Sequence, residues 1–137
     1  MMAYGLAATQ DSPANILSRM DDTPPFDAAE FDELAEMIGD DGVMEMVTIF
    51  ESETRHRLRR LAAGGQDLAT LLREMHTLKG GAGSIGAPCL AALGRTFEQA
   101  ACEGSAPSTA DIGMIATALD AWLLAVRASR LHHLPAG

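Results

Sequence analysis

Apolar residues recur three and four apart through five segments of this 137-residue chain. That is the spacing of one face of an α-helix and not the alternation of a strand. Glycine, proline and capping residues fall between the segments, which fixes where each helix starts and stops. Asp27 caps a first helix, with Glu30 at the capping-box position, Phe31, Leu34 and Ile38 as its apolar residues, and Gly39 as its stop. A second begins near Asp40 or Asp41 and runs to Gly64-Gly65, with Val43, Met46, Val47, Phe50, Leu58 and Leu61 as its buried stripe and a polar interval at 51–57.

The third opens near Asp67, and Leu71, Met75, Leu78, Ala82 and Ile85 form its stripe. Pro88 suits the first turn of a fourth, closed by Gly104, and Ser108 with Asp111 makes a capping box for a fifth that carries Ile112, Ile115, Leu119, Trp122, Leu123 and Val126. The fold expected is all-α: an antiparallel four-helix bundle with an additional short N-terminal helix. Residues 1–24 read as a flexible N-terminal arm, 25–132 as the bundle and 133–137 as a C-terminal tail. A composition 47% hydrophobic but only 4% aromatic supports helices over sheets.

A net charge of -9 and a pI near 4.7 argue against nucleic acid, whose binding draws on neutralised phosphates. The basic run at 53–60 reads as a solvated helix face, with docking as the lesser reading. Cys89 and Cys102 fall on one helix, roughly 20 Å apart, too far for a disulfide. No apolar run approaches a membrane span in this reading, and the first ten residues lack the pattern of a secretion signal, so the expectation is a cytoplasmic monomer with no membrane partner.

The unusual stretch is His76 to Gly86, HTLKGGAGSIG. On the helical wheel His76 points about 140° from the middle of the apolar stripe. Lys79, Gly80 and Gly83 follow three, four and seven residues later, on or beside the same exposed strip. Three glycines inside a helix cost on the order of 3 kcal/mol relative to alanine, which asks for a packing or access requirement. Either the bare backbone admits a second protein, or Gly81 or Gly83 lets a neighbouring element pack closely, or the helix ends near Gly80.

Other chemistries fit poorly. GAGSIG matches a dinucleotide fingerprint, but a helix precedes it and no βαβ unit surrounds it. No Walker spacing is present, His56, His76, His132, His133 and the cysteines show no metal-ligand spacing, and Ser84 lacks a nucleophile elbow. A cofactor-binding bundle would need its methionines to converge, and Met37, Met44, Met46, Met75 and Met114 are more simply core filling.

HTLKGGAGSIG, followed by Leu90 and Phe97-Glu98, resembles the histidine-containing phosphotransfer domain, whose signature runs His-x-Leu-Lys-Gly, a small residue, a glycine, a leucine and a later Leu-Glu-like pair. The resemblance is strongest over 76–98 and extends through the helix order from about 27 to 131. Ala82 stands where many members have serine, and Phe97 replaces a commoner leucine. The resemblance implies that His76 is phosphorylated, that Lys79 assists the phosphoryl group, and that Gly80 gives the partner access, with Gly83, Arg73 and Leu72 as further docking residues. It also implies receiver domains of response regulators or hybrid kinases as partners. With no acidic metal cluster in the sequence, no cofactor is expected on this chain, and Mg²⁺ is expected from the receiver. The chain would then be a stoichiometric carrier, not an enzyme, relaying phosphate from one receiver to another. The alternative is an adaptor that docks and inhibits a receiver or kinase without being phosphorylated.

Overall fold

The computed structural model describes residues 22–131. Among the described residues five helices follow one another: α1 Ala28–Ile38, α2 Asp40–Ala63, α3 Leu68–Ser84, α4 Pro88–Cys102 and α5 Thr109–Leu131. Helices α2 to α5 pack in a ring, each against its chain neighbour, with α5 closing onto α2 and α1 lying on α2. The closest pair is the α3–α4 hairpin. Ion pairs from Arg55 to Asp120 and from Arg130 to Asp40 run α2 and α5 antiparallel.

The ends form where local chemistry places them. Asp27 accepts from the Glu30 amide at 3.1 Å, but Glu30 does not complete a capping box. Instead the Asp27 amide donates to the Gly86 carbonyl at 3.0 Å, which ties the start of α1 to the α3–α4 turn. Gly86 has φ +73, and a Cβ there would lie 3.0 Å from the Asp27 carbonyl oxygen, so the turn requires glycine for both reasons. Ser108 and Asp111 do form the full reciprocal box, at 2.8 and 3.1 Å.

The core runs through Phe31, Val43, Leu71, Met75, Leu78, Ile85, Leu90, Leu93, Ile115, Leu119, Trp122 and Val126. Each such side chain contributes roughly 1.5–3 kcal/mol through burial. Phe50 meets Trp122 edge-on at 5.3 Å. Arg130 seals the far end, bonding Asp32 and Asp40 and lying 5.2 Å over the Phe31 ring.

Several expectations need correction. The buried line of α2 is Val43, Val47, Phe50, Thr54, Arg57, Leu58 and Leu61, so it passes through the polar interval, while Met46 faces out. Ile38 is also exposed, and Met37 is 80% exposed, so only some of the methionines fill the core. Contrary to expectation, α5 is long and apolar enough to cross a membrane by length and composition. Its apolar stripe has another use, since Met114, Ile115, Ala118, Leu119, Trp122, Leu123 and Val126 are buried in the bundle. Both cysteines are free; Cys89 is buried, which pushes its thiol pKa up, and Cys102 is exposed. The expected arm and tail fall almost wholly outside the described residues, and His132 and His133 lie outside them.

Candidate functional site

Asp67 caps α3 by accepting from the Thr70 amide at 2.8 Å, and the helix continues without a break to Ser84. Gly80, Gly81 and Gly83 therefore all lie within the helix, Gly83 in its last turn, and the helix does not end near Gly80. Their surroundings differ. A Cβ on Gly81 would meet the Phe50 ring at 3.2 Å, so packing accounts for that glycine. A Cβ on Gly80 or Gly83 would meet nothing within 4 Å. These two satisfy no internal requirement, and they leave a bare strip of helix facing outward. The Ser84 hydroxyl donates back to the Gly80 carbonyl one turn earlier at 2.8 Å.

His76 stands on that strip with its side chain 68% exposed. Its Nδ1 lies 2.7 Å from Glu98 Oε2 on α4, and Lys79 Nζ donates to the other oxygen, Oε1, at 2.5 Å. One carboxylate thus bridges a histidine and a lysine that are one turn apart on the facing helix. The Lys79 ammonium, and after it the His76 ring, hold the Glu98 carboxyl below the usual carboxylate range. An ionised carboxylate can only accept, so Nδ1 carries the proton it donates. In the neutral ring the lone pair is then on Nε2, which has no hydrogen-bond partner among the described residues.

The bridge depends on how closely α3 and α4 approach. Gly94, one turn before Glu98, sits against the backbone of Lys79: a Cβ there would lie 2.9 Å from the Lys79 nitrogen and 3.0 Å from its Cα. Glycine at 94 lets the helices touch, and Glu98 then reaches both partners. Sequence reading did not single out Gly94, and noticed Glu98 only as half of the Phe97-Glu98 pair. The available signal was a glycine inside an otherwise good helix, four residues before a carboxylate.

The basic run on α2 is not simply a solvated face. Arg57 is 8% exposed and donates to Glu74 at 3.1 Å, and Arg60 bonds the same carboxylate. Glu74 lies two residues before His76, so this cluster fixes α3 against α2 just below the exposed ring. Arg55 pairs with Glu51 and Asp120, while His56 and Arg59 are exposed. Of the other expected docking residues, Arg73 is exposed one turn before His76, and Leu72 is half-buried against the core. Among the described residues no group of three or more His, Cys, Asp or Glu could hold a metal ion.

Residues 45–129 match the family profile of the Hpt domain. The matched span contains His76, Lys79, Gly94 and Glu98. No curated protein and no solved structure matches the chain.

Proposed function

The chain belongs to the Hpt domain family, with a histidine phosphotransfer role in two-component signalling, and from that membership we propose that His76 is its phosphoryl carrier. In this reading it accepts phosphate from the aspartyl phosphate of one receiver domain and passes it to another. The observation that carries the reading is the Glu98 carboxylate on Nδ1, because it leaves Nε2 as the free nucleophile on an exposed ring beside two glycines with nothing over them.

The transfer balances without a base on this chain. The Nε2 lone pair attacks phosphorus in line, the P–O bond to the receiver's aspartate breaks, and the aspartate leaves as a carboxylate. The ring becomes a phosphorylated imidazolium whose charge is shared with Nδ1–H, and Glu98 stabilises that charge as it forms. Lys79 places its ammonium one turn from the phosphoryl oxygens. A divalent cation would arrive with the receiver and neutralise the transferring oxygens there. The chain acts stoichiometrically, as a cytoplasmic monomer. The reading is tested by incubating the chain with a receiver domain charged with labelled phosphate and following label onto histidine; a chain that takes up none from any receiver of its own genome overturns it.

Two variants separate its parts. Glu98→Gln keeps an acceptor for Nδ1–H but replaces a charge-assisted hydrogen bond with a weaker, neutral one. Transfer should slow, because less charge stabilisation remains for the imidazolium as it forms. Glu98 titrates lower in the folded protein than when free, so its stabilisation is complete above the ordinary carboxylate pKa and is lost as pH falls through the lower folded value. Urea titrations of wild type and Glu98→Gln should therefore differ at neutral pH and converge in acid.

Gly80→Gln should move stability and transfer in opposite directions. An added Cβ meets no neighbour, and glutamine favours a helix over glycine by roughly 0.5–1 kcal/mol, so the melting temperature should rise. Transfer from a receiver should fall, because the new side chain stands where the partner approaches. Unchanged transfer would remove the access argument.

A further inference from the structure

The strip of bare helix leads into a groove that the transfer chemistry does not use. Gly83, Ala87, Pro88, Ala91 and Ala92 line it with small residues, and Thr23, Glu30 and Arg95 are its polar lining. At about 360 Å³ it is at the lower end of ligand sites, and it lies open along the surface, which suits a protruding side chain more than an enclosed small molecule.

Arg95 connects this groove to the reacting cluster. It lies three residues before Glu98 on α4, so the two share a face. Arg55, Arg57, Arg60, Lys79 and Arg130 are all held in ion pairs within the protein. Arg95 is exposed and, like Arg59, Arg73 and Arg127, makes no ion pair among the described residues, but of these four it is the one that lines the groove. A cation left unpaired at the junction of a nucleophile and an apolar-lined groove is available to a partner.

We propose that this groove is the specificity-determining part of the docking surface, and that it takes an apolar side chain flanked by a carboxylate on the receiver domain. The apolar group lies against the Gly83–Ala87–Ala91–Ala92 lining, and the carboxylate pairs with Arg95. This rests on the phosphocarrier reading, and it adds which receivers the chain serves. Charge at such a rim acts mainly on the association rate and its salt dependence.

The test takes receiver domains from the same genome, charges them with phosphoramidate and Mg²⁺, and uses the one that transfers fastest to wild type. Arg95→Glu should lower the second-order transfer constant about tenfold at low salt, with the gap closing near ~0.5 M salt. Gly83→Gln should lower it at both salt concentrations, since its Cβ meets no neighbour and the rest of the side chain would take up space in the groove that Gly83 lines. Direct labelling of His76 by phosphoramidate, which needs no docking, should be unchanged in both variants, and a cooperative thermal melt like that of wild type shows that they are folded. Arg127→Glu, the same charge reversal on α5 outside the groove, should transfer like wild type. Wild-type transfer by both groove variants overturns the proposal. So does a dimer that Arg95→Glu turns into a monomer, which would give the groove to a second copy, or faster transfer by Arg95→Glu, which would give it to residues 1–21 of this chain. If phosphoramidate labels His76 but no receiver transfers to wild type, it is the phosphorelay reading that fails, and this proposal falls with it.

Discussion

His76→Gln is expected to fold as wild type does and to take up no phosphate from a charged receiver domain. The side chain is 68% exposed and makes one hydrogen bond, to Glu98, which the glutamine amide can also make. Substitutions at such surface positions usually change stability by no more than about 0.5 kcal/mol. An amide has no nucleophilic nitrogen, however, and neither His56 nor any other described histidine is placed beside Glu98, Lys79 and Gly80 to take over. Label should fall to background, not merely slow. On wild type the label should be lost in acid and kept in base, as a phosphorus–nitrogen bond requires. Label retained on the variant, or stable in acid on wild type, would remove His76 from the role. The same variant decides against the adaptor alternative: an inhibitor that works by docking alone would still inhibit with glutamine at 76, while a carrier would lose its output.

Periodicity carried the sequence reading as far as single helices. It placed His76 on the outside of α3 because one wheel is enough to separate an imidazole from the stripe of Leu71, Met75, Leu78 and Ala82. The caps at Asp27, Asp67 and Ser108 were legible because each depends on a side chain and an amide within one turn. What a wheel does not contain is the register of one helix against the next. Glu98 is an ordinary carboxylate until α4 is laid beside α3, and Gly94 is an ordinary weak point until the Lys79 backbone is found against it. The same limit explains Thr54 and Arg57: an apolar-only stripe on α2 skips them, and only the Glu74 carboxylate across the interface makes a buried arginine possible. The membrane-like length of α5 went unnoticed in the sequence, and it settles nothing alone, since a helix that fills a bundle core meets the same compositional test as one that faces lipid.

Gly94 is where the fold and the site depend on each other most directly. Replacing it with alanine in an isolated helix would stabilise it by about 1 kcal/mol. Here the added methyl would lie 2.9 to 3.1 Å from three Lys79 atoms, two of them backbone, which cannot rotate aside. Forcing an extra carbon into a packed interface costs about 1–3 kcal/mol, so alanine should be neutral to destabilising by roughly 2 kcal/mol. Valine adds two more methyls and recovers less propensity, so its loss should be larger, read as a lower urea midpoint. The functional consequence follows from where the helices part. Lys79 lies between the contact at Gly94 and the carboxylate one turn away, so separation lengthens both bonds of Glu98 and frees the His76 ring. Gly94→Ala, still folded, should therefore transfer phosphate more slowly even though every reacting side chain remains, and the nitrogen resonances of the ring should show Nδ1 losing its proton preference. An alanine variant as fast as wild type with an unchanged ring spectrum would mean that the close approach of α3 and α4 does not position the carboxylate.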